Sequence, residues 1–144
     1  MGILLNQFNK FEFIIMLIWL ALMFVFSLDV APIGPVVIAA GSALSFGYLL
    51  QGRLGTMVLA EHTVLVRMFP SIFGNFSAIC VMGILFKVMQ WPGASVMANI
   101  GIIGMLICSL ALFYTPIQNE FLPVMRKFLI RLAVLVGLSI YVAI

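Results

Sequence analysis

Charged side chains are scarce in this chain. The 144 residues include seven basic and four acidic residues, together 8% of the sequence. A soluble domain carries about a quarter charged residues, so this chain could not cover a surface that faces water. With 65% hydrophobic residues and a mean hydropathy of +1.32, the composition predicts an integral membrane protein. The net charge of +3 is too small and too scattered to indicate binding to nucleic acid.

Groups that carry catalysis or bind metals are equally few. The only histidine is His62, and its neighbour Glu61 would point in another direction on a helix, so the two make a poor acid–base pair. No Gly-x-Ser-x-Gly motif occurs, and no histidine or carboxylate lies at ligand spacing from Cys80 or Cys108. Cysteines inside apolar runs usually behave as small hydrophobic residues. We therefore expect no enzymatic activity, no cofactor and no metal site.

Five apolar stretches are long enough, or nearly so, to cross the hydrocarbon core of a bilayer, which takes about 20 helical residues. They cover about residues 11–28, 33–50, 68–89, 94–114 and 128–144. The sequence therefore predicts a single all-α domain, a polytopic transmembrane bundle of five helices, or of four if the short last stretch does not cross. The connection from Arg53 to Arg67 predicts either an amphipathic helix in the membrane interface or an inward extension of the third span.

Most basic residues lie on one side of the membrane in this predicted topology. Only Lys87 falls on the opposite side, and the N-terminal side holds Lys10, Arg53, Arg67, Arg126, Lys127 and Arg131. The bias of basic residues toward cytoplasmic loops predicts a cytoplasmic N-terminus and, with five spans, a C-terminus outside. Arg131 is expected to extend toward the lipid headgroups, and Glu12 to lie at the inner edge of the first span.

Small and polar residues recur within spans two to four. The small residues at close helical spacing are Gly41, Ser45, Gly74, Ala78, Gly101 and Gly104. Such rows let helix backbones approach closely, so they predict a compact bundle whose neighbouring helix belongs to this chain or to another copy. The polar residues Ser42, Asn75 and Asn99 predict hydrogen bonds between helices or, alternatively, a polar path between spans two to four.

An internal repeat is visible when the chain is shifted by about 60 residues. The segment FSLDVAPIGPVVIAAG then aligns with FKVMQWPGASVMANIG, and each segment joins the end of one span to the start of the next. Two hairpins of the same orientation would form a parallel repeat about an axis along the membrane normal. Chance identities are common between apolar segments, so a 2+2+1 organisation is one of two readings.

The connection between the third and fourth spans has the composition of a tight membrane corner. Pro92 cannot continue the preceding helix, and Gly93 permits a sharp turn. Trp91 suits the headgroup layer, where its ring is half buried and its N–H stays wet. Lys87 can extend to the same layer, and Phe86 precedes it at the end of the span.

This corner resembles the transmembrane hairpin of GldL, the inner-membrane L subunit of the type IX secretion and gliding motor of Bacteroidota. The resemblance covers about residues 81–114 and rests on Phe86-Lys87, followed by Trp91-Pro92-Gly93-Ala94. It implies a bacterial inner membrane and a corner that faces the periplasm. The motor family carries a protonatable glutamate in its second helix, and Met105 stands at that place in this sequence. The resemblance therefore implies a shared hairpin without proton-driven motor function.

The sequence as a whole favours a structural role. We expect a small inner-membrane scaffold that contacts the lipid bilayer and packs with other membrane-protein subunits or with further copies of itself. The alternative is a small transporter or channel with its site between spans two to four.

Overall fold

The computed structural model describes residues 2–27, 33–58, 64–113 and 129–140. These residues form five helices, and the described ranges contain no strand. The helices are α1 (Gly2–Ser27), α2 (Gly34–Val58), α3 (Val64–Val88), α4 (Ala94–Phe113) and α5 (Leu129–Ile140). The prediction of an all-α bundle of five helices is confirmed.

Three of these helices are long and apolar enough to cross a membrane. The spanning segments are Gly34–Met57, Arg67–Val88 and Ala94–Ala111, and the described apolar parts of α1 and α5 are shorter. This finding supports the prediction of a membrane protein, and three of the five predicted spans correspond to described helices of spanning length.

The connection between the second and third spans consists mainly of two helix extensions. Helix α2 continues to Val58, and α3 already begins at Val64. Of the two alternatives for this region, the extension of the third span matches the structure, and the second span is extended as well. Residues 59–63, with Glu61 and His62, lie outside the described residues.

Helix α3 lies between α2 and α4 and runs antiparallel to both. The Ser45 hydroxyl of α2 donates to the Ala78 carbonyl oxygen of α3 over 3.2 Å. On the other side of α3, Gly101 of α4 lies against Cys80. Of α1 to α3, only α3 packs extensively on α4.

Helix α1 packs antiparallel to α2. Trp19 lies against Gly41, and Glu12, further toward the start of α1, contacts Gln51 near the end of α2. We call the end of the bundle that holds Arg53, Arg67 and Arg131 the arginine end. The opposite end, which holds residues 89–93, is the corner end.

The interior is filled by large apolar side chains from all five helices. The most deeply buried include Trp19, Tyr48, Phe73, Met105 and Leu135, each with 0% exposure. Burial of such side chains fixes the relative positions of the helices, including the polar groups that they carry at the arginine end.

The contacts within the two hairpins follow nearly the same register. Trp19 of α1 lies against Gly41 of α2. A shift of about 60 residues moves these two positions to 79 and 101, and Gly101 lies against Cys80, one residue further along α3. This agreement supports the 2+2+1 organisation. It stays a prediction, because the first corner, residues 28–32, lies outside the described residues.

Candidate functional site

The predicted corner is built on a Schellman motif at the end of α3. Gln90 adopts the left-handed conformation, with φ of 56°. Its N–H donates to the Lys87 carbonyl over 3.1 Å, and the Trp91 N–H donates to the Phe86 carbonyl over 2.8 Å. These two bonds satisfy carbonyl groups that a helix end otherwise leaves free. The left-handed conformation of Gln90 could not be predicted from the sequence, because this position is usually glycine.

The predicted corner residues pack around that motif. The rings of Phe86 and Trp91 meet edge to face, with centroids 5.0 Å apart. Pro92 follows, and Gly93 takes φ of 83° before α4 begins at Ala94. Trp91 is 45% exposed. The corner is therefore a turn stabilised by its own residues.

The six small residues of the predicted packing rows are buried at contacts between helices of this chain. A Cβ atom on Gly74 would lie 2.6 Å from the Tyr48 carbonyl oxygen, and one on Gly101 would lie 2.6 Å from the backbone nitrogen of Cys80. The same close approach occurs for Gly41 against Trp19 and Gly104 against Phe76, while Ser45 and Ala78 are joined by their hydrogen bond. The neighbour at these positions belongs to this chain.

The polar residues predicted to line a path are not brought together in the interior. Ser42, Asn75 and Asn99 are all exposed. Since Ser45 lies level with Ala78, Ser42 and Asn75 are about 9 Å apart along the bundle axis. On α3, the residues on either side of Asn75 face α2 and α4, so Asn75 itself faces outward. The interior polar path expected from these three residues is therefore absent from the described structure.

A different set of polar side chains meets inside the bundle, at the arginine end. Arg131 of α5 is 4% exposed. Its Nε donates to Glu12 Oε1 over 2.6 Å, and its Nη2 donates to Gln51 Oε1 over 2.5 Å. The Gln51 amide nitrogen donates to the other Glu12 oxygen over 3.1 Å. The three side chains, which we call the arginine clamp, form a closed triangle that joins α1, α2 and α5.

Aromatic rings enclose the guanidinium group of the clamp. Its central carbon lies 4.3 Å from the centroid of the Tyr48 ring and 5.7 Å from that of Phe73. A cation at this distance from a ring face is attracted by the ring quadrupole. The Tyr48 hydroxyl in turn donates to the Met16 sulfur over 3.7 Å. Through Phe73, α3 also contributes to holding Arg131.

The clamp lies inside the apolar spans. Phe73 is six residues, about 9 Å, from Arg67 at the start of the α3 span. Gln51 is seven residues, about 10 Å, before the end of α2 at Val58. The expectation that Arg131 extends to the headgroups is therefore wrong. The guanidinium instead donates to a partly buried carboxylate and a partly buried amide, and Glu12 faces this cation within the bundle.

Chemically, this arrangement suits stabilisation. A cation, a carboxylate and an amide that bond to one another satisfy groups that would be costly to bury alone. The described residues contain no group of three or more His, Cys, Asp or Glu side chains that could hold a metal ion. Cys80 and Cys108 are buried free thiols.

One buried donor has no acceptor. The indole N–H of Trp19, on a side chain with 0% exposure, has no hydrogen-bond partner among the residues that the structure describes. The indole lies against Gly41, which Leu85 of α3 also approaches. Burial of a donor without an acceptor normally costs about 1–3 kcal/mol. Packing of the large indole ring in the interior offsets this cost.

Comparison with known proteins gives no match: no family model matches this chain, and no curated protein or solved structure is similar to it.

Proposed function

We propose that this chain is a small structural subunit of the bacterial inner membrane, which packs through its outward helix faces against other membrane-protein chains or a second copy. The observation that carries this proposal is the outward position of Asn75 and Asn99. Neither amide has a hydrogen-bond partner among the described residues.

Both amides lie at membrane depth. Asn75 belongs to the span Arg67–Val88, and Asn99 belongs to the span Ala94–Ala111. A hydrocarbon solvent offers an amide neither donor nor acceptor, so an exposed amide there is costly. Asparagine side chains that bond across a helix contact contribute about 1–2 kcal/mol to helix association in model peptides. Neighbouring helices with polar side chains would satisfy the two amides, one at α3 and one at α4.

The surroundings of Asn99 support docking through α4. Helix α4 packs on α3 along one side, and its opposite side carries the Asn99 amide followed by the exposed side chains of Ile103, Leu106 and Leu110. An apolar helix face with one polar residue is a common pattern at specific helix contacts, because the polar residue fixes the register.

The arrangement of basic residues supports a cytoplasmic arginine end. Arg53 and Arg67 are both exposed there, as expected for the cytoplasmic side of a membrane protein. The corner end, with Trp91, would then face the periplasm, in agreement with the resemblance to the GldL hairpin.

Motor activity is not part of the proposal. Met105, at the place of the family's glutamate, is fully buried. Its sulfur accepts a hydrogen bond from the Ser77 hydroxyl over 3.3 Å. This thioether supplies no titratable group for proton transfer.

The test compares the Asn75→Leu and Asn99→Leu variants with Ile103→Leu, a control on the same face as Asn99. Proteins are extracted from their native membrane in a gentle detergent, and the mass and composition of each complex are measured. We expect wild type and control to carry a partner chain or second copy, and the asparagine variants to lose it while keeping their thermal stability. A lone wild-type monomer would contradict the proposal.

A small transporter or channel is the second candidate, and the buried arginine clamp is the observation that favours it. Its site would lie between α1, α2 and α5, because the clamp lies there. Met16, which is 3% exposed beside the clamp, provides the test. Labelling of a Met16→Cys variant by a membrane-impermeant maleimide would show that water enters, whereas an unreactive thiol would count against transport.

A further inference from the structure

The backbones of α2 and α3 are in close contact at the arginine end. A Cβ atom on Gly52 would lie 2.9 Å from the Pro70 carbonyl oxygen, and one on Gly55 would lie 2.7 Å from Cβ of Pro70. Side chains that flank this glycine–proline seam are therefore brought near one another on the outside of the bundle.

Two arginines flank the seam. Arg53 follows Gly52 directly, and Arg67 precedes Pro70 by three residues, or about 4.5 Å along the helix. Both side chains are exposed, and neither forms a hydrogen bond or ion pair with another residue in the described ranges. Because an arginine side chain is long and flexible, both guanidinium groups can reach one anion.

The position of Arg67 independently favours an anion. It lies in the first turn of α3, where the backbone N–H groups have no partner within the helix and the helix dipole makes the local potential positive. That turn contains no acidic residue. The one carboxylate among the described residues, Glu12, is bonded to Arg131. A cation at this place is therefore left without compensation by the described part of the chain.

Apolar side chains continue the surface on both helices. Leu49 lies one turn before Arg53 on the same face of α2, toward the middle of the span, and Ile72 lies just over one turn after Arg67 in α3. Both side chains are more than a third exposed. A ligand with a negative head and apolar tails matches this combination better than a soluble anion does.

We propose that Arg53 and Arg67 together bind the phosphate of an anionic phospholipid at the α2–α3 seam. The guanidinium groups hold the phosphate oxygens, and the acyl chains run toward the middle of the span along Leu49 and Ile72. Arginine suits this role, because its planar donors match a phosphate geometry. The site is separate from the outward asparagines, so it does not depend on the proposed scaffold role.

The test measures lipid binding to the purified full chain in a neutral detergent. Phosphatidylglycerol and phosphatidylcholine are titrated separately, and bound lipid is counted by native mass spectrometry. A basic residue near an anionic surface strengthens attraction by about fivefold. We therefore expect the preference for phosphatidylglycerol to fall about fivefold in Arg53→Gln and in Arg67→Gln, and further in the double variant.

Three controls decide the outcome. Lys87→Gln, at the corner end, should keep the full preference, and the double Arg53→Lys, Arg67→Lys variant should keep part of it. An unchanged preference in the double glutamine variant would overturn the proposal, as would equal binding of both lipids to wild type. Full displacement of phosphatidylglycerol by an equal concentration of inorganic phosphate would indicate a soluble anion and would also overturn it.

Discussion

Replacement of Arg131 by methionine would leave the Glu12 carboxylate facing an apolar side chain inside the bundle. The Arg131 side chain is 3% exposed and that of Glu12 is 13% exposed, so water can compensate only a small part of the loss. Removal of one partner of a buried ion pair costs about 3–5 kcal/mol. We expect about this loss of unfolding free energy from Arg131→Met, and a similar loss from Glu12→Leu.

The double variant Glu12→Leu, Arg131→Met should lose much less than the sum of the two single losses. Apolar residues of similar volume can replace a buried ion pair at little cost, because no charge is then left unpaired. The expected coupling free energy between the two positions is therefore about 3 kcal/mol or more. Gln51 bonds to both partners, so part of the loss in each single variant comes from its amide.

Trp19 provides the assay. It is fully buried, whereas Trp91 is 45% exposed, and these are the two tryptophans of the chain. In a Trp91→Phe background, the emission of Trp19 reports unfolding as sodium dodecyl sulfate is added to mixed micelles. Additive losses, within about 0.5 kcal/mol, would show that the two residues do not act as a pair and would refute the reasoning.

Two further predictions concern backbone positions. Gly74→Ala should destabilise the bundle by about 1–3 kcal/mol, because the new Cβ would meet the Tyr48 carbonyl oxygen at 2.6 Å; Gly137→Ala, with nothing within 4 Å, is the matched control and should not destabilise. Gln90→Gly should raise the unfolding free energy by about 1 kcal/mol, since φ of 56° suits glycine better. Gln90→Val should lower it, and both changes can be read from the same detergent titration. Equal stability of the two Gln90 variants would contradict the strain argument.

The apolar spans could be predicted because the hydrocarbon core requires about 20 apolar helical residues. Helix α2 nevertheless continues to Val58, past the predicted end at residue 50. The polar residues after residue 50 gave no sign that the helix continues. The continuation is stabilised by packing of Gly52 and Gly55 on Pro70. Apolar composition predicts which part of a helix lies in lipid. How far the helix continues beyond the lipid depends on its tertiary contacts.

The arginine clamp could not be predicted for a related reason. Arg131 and Glu12 are 119 residues apart, and no local pattern links them. The prediction that both side chains lie at the membrane interface rested only on how close the two residues are to the ends of the predicted spans. The outward position of Asn75 could not be predicted either, because it depends on which helices pack against the two adjacent faces of α3.

Synthesis of this protein leaves Glu12 without its cation until α5 has been made. Translation at about 5–20 residues per second takes about 6–24 s to cover the 119 residues between Glu12 and Arg131. During this interval a carboxylate and the Gln51 amide would wait in the nascent bundle, where water or an insertion factor must accommodate them. A mutation that prevents α5 from packing would leave Glu12 permanently without its cation. Such chains should be preferred substrates for membrane proteases.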